Sequence, residues 1–113
     1  MNIQIFGKSK CFDTKKAERY FKERGVKYQL VDILSKGLSK GEFHSISNAL
    51  GGFEPMIDKS LKDYCMLQYL SLEDQIEKLM EMPKYYKTPI VRNGSKATIG
   101  YCPEIWKTWG YSS

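Results

Sequence analysis

The first third of the chain changes hydrophobic period in an order that admits one arrangement. Residues 2–6, with Ile3, Ile5 and Phe6, read as a strand. Residues 13–24 then place Ala17, Tyr20, Phe21 and Arg24 at helical spacing, and Gly25 stops the helix. Residues 27–33, with Tyr28, Leu30, Val31 and Ile33, return to strand character. Strand, helix and strand joined by short links close as a parallel pair with a right-handed crossover.

The rest of the chain must be added to that unit. Ser39 starts a second helix, with Glu42 as its capping-box partner, an apolar stripe of Phe43, Ile46 and Leu50, and a stop at Gly51-Gly52. Residues 53–70 suggest short helical turns around 56–57 and 61–66. Ser71, with Asp74, caps a further helix that lines its buried side with Leu72, Ile76, Leu79 and Met80 and closes at Pro83. Residues 89–92 and 97–101 are short strands around Asn93-Gly94, a strong hairpin signal. Pro103 then opens a last helix carrying Ile105, Trp106 and Trp109. The order is that of an α/β thioredoxin-like fold with a mixed four-stranded sheet. We read residues 1–113 as a single domain with a helical insertion at about 37–85.

Composition narrows the setting. A chain of 113 residues that is 42 % hydrophobic supports one ordinary core. No apolar run approaches the ~20 residues that span a bilayer, and the first residues lack the pattern of a secretory leader. The three cysteines, at 11, 65 and 102, make a poor disulfide framework and show no metal-ligand spacing. The single histidine, His44, has no metal-like partner nearby and reads as a surface or cap-side residue. A reducing cytoplasm is the expected location. The net charge of +5 comes from scattered lysines, which read as a solvated surface, so neither DNA nor a membrane is an expected partner.

Cys11 is the residue that suggests chemistry. It lies between the first strand and the first helix, near unpaired backbone N–H groups and the positive end of the helix dipole. Lys8, Lys10, Lys15 and Lys16 surround it in sequence, and nearby cations favour the thiolate, the reactive form. Thr14, one helical turn on, either donates a hydroxyl to the sulfur or is an ordinary first-turn residue. Asp13 would oppose ionisation if its carboxylate faced the sulfur. The competing reading of Cys11 is a small buried hydrophobe. Cys65, inside the apolar stretch from Tyr64 to Leu67, is expected to pack in the core.

The residues also resemble a known family. Cys11-Phe12-Asp13-Thr14-Lys15-Lys16-Ala17, the stretch from Phe21 to Tyr28, Leu38-Ser39-Lys40-Gly41-Glu42, Lys87-Thr88-Pro89-Ile90-Val91 and the stretch from Ile99 to Glu104 are together similar to the arsenate reductase/Spx family. The resemblance implies a cis Pro89 close to Cys11. Thr88 and Pro89 would shape a ligand groove, with Lys8 beside them. It implies a role for Thr14 as the hydroxyl that assists the thiolate. It also implies a departure. Arsenate reductases of the family hold their oxyanion with three arginines, and the matching positions here are Ser60 (with Lys59 beside it), Thr88 and Cys102. Lysine does not replace a bidentate guanidinium, so efficient arsenate reduction is not expected.

The Spx branch regulates transcription by binding RNA polymerase, and the Gly51-Gly52 region resembles its contact segment. The C-x-x-C switch of many Spx members cannot form here, because Thr14 holds the second position. The expected function is therefore a thiol-disulfide or glutathione-linked oxidoreductase using Cys11. Glutathione would be a co-substrate, and glutathione or a glutaredoxin-like protein the external reductant. The alternative is a regulator or binding module contacting RNA polymerase. Cys102 either resolves an oxidised Cys11 or fills the place of an arginine.

Overall fold

The computed structural model describes residues 3–109. Four strands form one sheet in the order β2-β1-β3-β4: β1 (Ile3–Gly7), β2 (Tyr28–Asp32), β3 (Ile90–Asn93) and β4 (Lys96–Ile99). β1 and β2 run parallel, with Ile3 opposite Tyr28 and Gly7 opposite Asp32. β3 lies antiparallel to β1, and the β3–β4 hairpin completes the mixed sheet. The crossover expected from the sequence is made by α1 (Phe12–Glu23). Asn2, expected as the first residue of β1, lies outside the described residues.

Alternation along the strands separates two cores. Ile3, Ile5 and Val91 face one side, where Ala17, Tyr20 and Phe21 of α1 meet Trp106 and Trp109. Phe6, Val31 and Ile90 face the other, against Phe43 and Ile46 of α3 (Lys40–Leu50) and Leu79 of α5 (Leu72–Glu81). Complete burial of a side chain such as Phe6 or Phe21 stabilises the fold by roughly 1.5–3 kcal/mol. The Trp106 indole N–H donates to Thr98 Oγ1 at 2.8 Å, so the largest ring in the core keeps no unpaired polar atom.

The caps fall where expected. Ser39 and Glu42 form a reciprocal capping box on α3, and the Ser71 hydroxyl accepts from the Asp74 N–H on α5. Gly51 ends α3 in the left-handed conformation at φ 78°.

Four elements differ from expectation. The second strand stops at Asp32, because its carboxylate accepts from the Leu34 N–H and starts a short helix, α2 (Ile33–Lys36). The turn expected at 61–66 is displaced to α4 (Tyr64–Gln68), and it buries Leu67 while Cys65 and Met66 point to solvent. Cys65 is therefore not a core residue: one turn of helix presents one face, and Leu67 occupies it. Leu72 is likewise 67 % exposed, since the first turn of α5 projects beyond the core. In the last hairpin Asn93 is paired with Lys96, and β4 ends at Ile99 because Gly100 adopts φ 87° and turns its N–H onto Pro89 O.

The remaining segment that builds the site runs through 54–60. A 3-10 turn (Glu54–Met56) is followed by a bridge between Ile57 and Tyr86. Asp58 N–H donates to Tyr85 O and Lys87 N–H to Met56 O, both at 2.8 Å. This pairing fixes residues 58–60 beside the approach to Pro89. The helix α6 (Pro103–Trp106) follows β4 and carries Trp106 into the core while Ile105 faces outward. No helix among the described residues is long and apolar enough to cross a membrane.

Candidate active site

Cys11 is the N-cap residue of α1, with extended dihedrals of φ −89° and ψ 117°. Its own N–H closes a turn onto Lys8 O, and its carbonyl accepts from Lys15 N–H. Its side chain does not act as the cap. Instead the sulfur donates to Thr88 O, 3.6 Å away, and Thr88 is joined to Pro89 by a cis peptide bond. The structure thus brings Cys11, Thr88 and Pro89 together.

The thiol is half-buried, and burial pushes its pKa up. Four hydrogen-bond donors more than offset that. They are the Thr14 and Thr88 hydroxyls and the backbone N–H groups of Thr14 and Asp13, and together they hold Cys11 below the usual cysteine value. Donors aimed at the sulfur, rather than lysine charges, set this shift. Thr14 is buried, and its hydroxyl has no hydrogen-bond partner among the described residues. While the sulfur keeps its proton it donates to Thr88 O; once the proton leaves, it accepts from Thr14. The unpartnered Thr14 hydroxyl is therefore free to donate to the sulfur when it is ionised.

The lysines have other contacts. Lys8 Nζ donates to Lys84 O at 3.0 Å and to Tyr86 O at 2.8 Å, tying the loop before Cys11 to the segment before Thr88. Lys15 lies over the Phe12 ring and Lys16 over the Tyr101 ring, and Lys16 also pairs with Asp13 at 4.0 Å. Asp13 is not among the groups that raise the Cys11 pKa; its charge acts on Cys102 instead.

Cys11 opens onto a groove of about 580 Å³, with Lys8, Lys10, Leu34, Ser60, Lys87 and Thr88 along its walls. Asp58 also faces it, with one carboxylate oxygen taken by the Ser60 N–H and hydroxyl. Lys59 turns away and pairs with Glu54 at 3.0 Å. The chain has three arginines, and none lines this groove. Arg92 is held at the opposite end of the sheet by Gln4, Ser45 and Gly94, and Arg24 stacks on Tyr20. No group of three or more His, Cys, Asp or Glu among the described residues could hold a metal ion.

Cys102 is the N-cap residue of α6 and packs against the Trp106 side of the core. Its thiol donates to Ile99 O at 3.2 Å. Burial is the main influence on it and pushes its pKa up, with Lys87 opposing and Asp13 adding to the rise. It does not line the Cys11 groove among the walls described above. His44 is exposed on α3 with its ring edge-on to Phe43. Three groove residues were not singled out from sequence. Leu34 belongs to the short helix that Asp32 caps, and the Asp32–Leu34 spacing was the available signal. Asp58 and Lys87 are placed by the pairing of two loops, which leaves no local pattern.

Comparison with known proteins places the family and the fold. The ArsC family model matches residues 6–109. The global transcriptional regulator Spx 2 of Oceanobacillus iheyensis is similar, at 29 % identity over 106 residues, 89 % of this chain and 78 % of the regulator. Among solved structures, an arsenate reductase from Vibrio cholerae superposes with a TM-score of 0.81 at 23 % identity, over 93 % of this chain and 94 % of that one. The glutaredoxin-like protein NrdH-redoxin from Escherichia coli superposes over the whole of both chains with a TM-score of 0.52 at 12 % identity. The fold is thioredoxin-like.

Proposed function

The chain belongs to the ArsC family, and we propose that this member is a thiol-dependent oxidoreductase acting on disulfides with Cys11 as its nucleophile. The observation that carries the reading is the set of donors that converge on the Cys11 sulfur, with the Thr14 hydroxyl unpartnered until the thiolate forms. A groove without an arginine supports a disulfide over arsenate as substrate. Bidentate guanidinium forks recognise a tetrahedral oxyanion better than the point charge of lysine does, and this groove offers Lys10 and Lys87 but no arginine.

The Cys11 thiolate attacks one sulfur of the disulfide. A Cys11–substrate S–S bond forms, the original S–S bond breaks, and the other half leaves as a thiolate. An external thiol, glutathione or that of a glutaredoxin-like protein, then attacks the mixed disulfide. It attacks the Cys11 sulfur, so that the second half of the substrate leaves as thiolate and a Cys11–reductant disulfide forms; a second external thiol then attacks the reductant's sulfur, forming the reductant's own disulfide and releasing Cys11 as thiolate. Two external thiols supply the two electrons of each turnover. Cys102, with its proton held by Ile99 O and its pKa raised by burial, is poorly suited to that second attack. It is not needed in the cycle. A thiol that must stay reduced fits a cytoplasmic location.

The test is reduction of a small disulfide by glutathione, with Cys11→Ser as control. Loss of turnover in the variant supports the reading, and equal turnover overturns it.

A second reading draws on the similarity to a transcriptional regulator. Gly51 and Gly52 border an open groove of about 630 Å³ with Phe53, Tyr64 and Leu72 along it. Under this reading that face contacts RNA polymerase. Polymerase binding that survives Cys11→Ser but is lost on crowding Gly52, together with no disulfide reduction by the unaltered protein, would favour the regulator.

A further inference from the structure

Four large apolar side chains are exposed on the groove wall, in the first turn of α1 and around the start of α6. Phe12, next to the nucleophile, is 79 % exposed. Leu34 forms part of the groove wall and is half exposed. Tyr101 and Ile105 are exposed where β4 passes into α6, beyond Gly100, whose N–H is bonded to Pro89 O. Lysines interleave with these rings: Lys15 over Phe12 and Lys16 over Tyr101, with Lys10 and Lys87 on the groove itself. The groove lining itself carries three lysines, Lys8, Lys10 and Lys87, against one carboxylate, Asp58, while Lys16 and Asp13 pair with each other outside it. The mouth is therefore apolar and cationic.

An exposed phenylalanine beside a reactive thiol has no role in the fold. It belongs to neither core cluster and lies outside the groove that a small disulfide would fill. Apolar area of this kind, beside a groove whose lining is net cationic, fits a partner that brings its own apolar residues and negative charge.

We propose that Cys11 acts on a peptide or protein segment in which the disulfide is flanked by apolar and acidic residues, with Phe12, Tyr101, Lys10 and Lys87 setting that preference. This rests on the thiol reading of Cys11 above. The reacting step is unchanged: the Cys11–peptide S–S bond forms, the peptide's original S–S bond breaks, and the departing thiolate takes the electron pair. The apolar rim holds the segment, and the lysines raise its encounter rate.

The test uses Cys65→Ser/Cys102→Ser protein, so that Cys11 is the sole thiol. Two pentapeptides are compared, each with a central cysteine carried as its mixed disulfide with 5-thio-2-nitrobenzoate and flanked by leucines. One ends in glutamates and the other in lysines. Hydroxyethyl disulfide serves as the small neutral reference. The glutamate peptide is expected to react with Cys11 at least about ten-fold faster than the lysine peptide at low salt, and the ratio should shrink at high salt. Phe12→Ser and Lys10→Glu, both at exposed positions, should each lower the glutamate-peptide rate relative to that of hydroxyethyl disulfide. Equal rates for the two peptides overturn the preference while leaving the thiol reading intact. Failure of Cys11 to react with hydroxyethyl disulfide as well overturns both.

Discussion

Gly7 and Thr14 are packed so closely that Gly7 has no room for a side chain. A Cβ built on Gly7 would stand 2.7 Å from Thr14 Oγ1, and closer still to its methyl group. The last residue of β1 is therefore a glycine for want of space. The contact holds Thr14 where its hydroxyl can reach the Cys11 sulfur. Gly7→Ala should destabilise the fold by about 1–3 kcal/mol through overpacking, and displacing Thr14 should slow alkylation of Cys11 at neutral pH. Denaturant titration and iodoacetamide kinetics measure the two effects.

Thr14→Val tests the hydroxyl alone. The side chain keeps its branching and loses a buried donor that has no partner while Cys11 is protonated. Stability should hold or rise by up to about 1 kcal/mol, while the Cys11 pKa rises because a donor to the thiolate is gone. A clear loss of stability without change in thiol reactivity would place the hydroxyl elsewhere in the energetics.

Lys8→Met should cost about 1–3 kcal/mol, because two carbonyls lose a charged donor and one of them is only partly accessible to water. The segment that carries Lys84 and Tyr86 leads directly to Thr88. Amide hydrogen exchange at 84–88 should therefore quicken in the variant, and unchanged exchange would show that Lys8 does not fix the groove.

Much of this was legible in the sequence, and the reasons are local. The period of α1, the Ser39–Glu42 box and the Asn93-Gly94 turn each act within a few residues, so they can be read before folding. The position of Cys11 at the head of α1 was legible for the same reason. Asp58, Ser60 and Lys87 reach the groove through the pairing of Ile57 with Tyr86, a contact between loops far apart in sequence. Cys65 misled because an apolar run says nothing about which of its members faces in. Leu67 took the buried side of a single turn. The lysines misled differently, since charge near in sequence placed none of them on the sulfur.

The pH dependence follows from the two shifted thiols. Cys11 is lowered in the folded protein, so its ionisation stabilises the fold fully above the unfolded cysteine value, ~8.5, and that contribution is lost as pH falls through the folded pKa. Cys102 is raised, so its contribution is complete below the unfolded value and is lost as pH rises toward its folded pKa. The stability of the unaltered protein relative to Cys11→Ser should therefore grow as pH rises through the cysteine range. Relative to Cys102→Ser it should fall. Urea titrations across that range check both signs.

Cys102→Ser should leave reduction of a small disulfide within about two-fold of the unaltered rate when glutathione is in excess, because the external thiol closes the cycle. A large loss of turnover, with a Cys11–Cys102 disulfide found by mass spectrometry, would instead make Cys102 the resolving thiol.

The central claim is that Cys11 is an activated thiol, and its pKa tests that most directly. Alkylation by iodoacetamide should be followed against pH in Cys65→Ser/Cys102→Ser protein. The donors around the sulfur predict a midpoint below the ordinary ~8.5 of a free cysteine. A midpoint at or above that value would contradict the account.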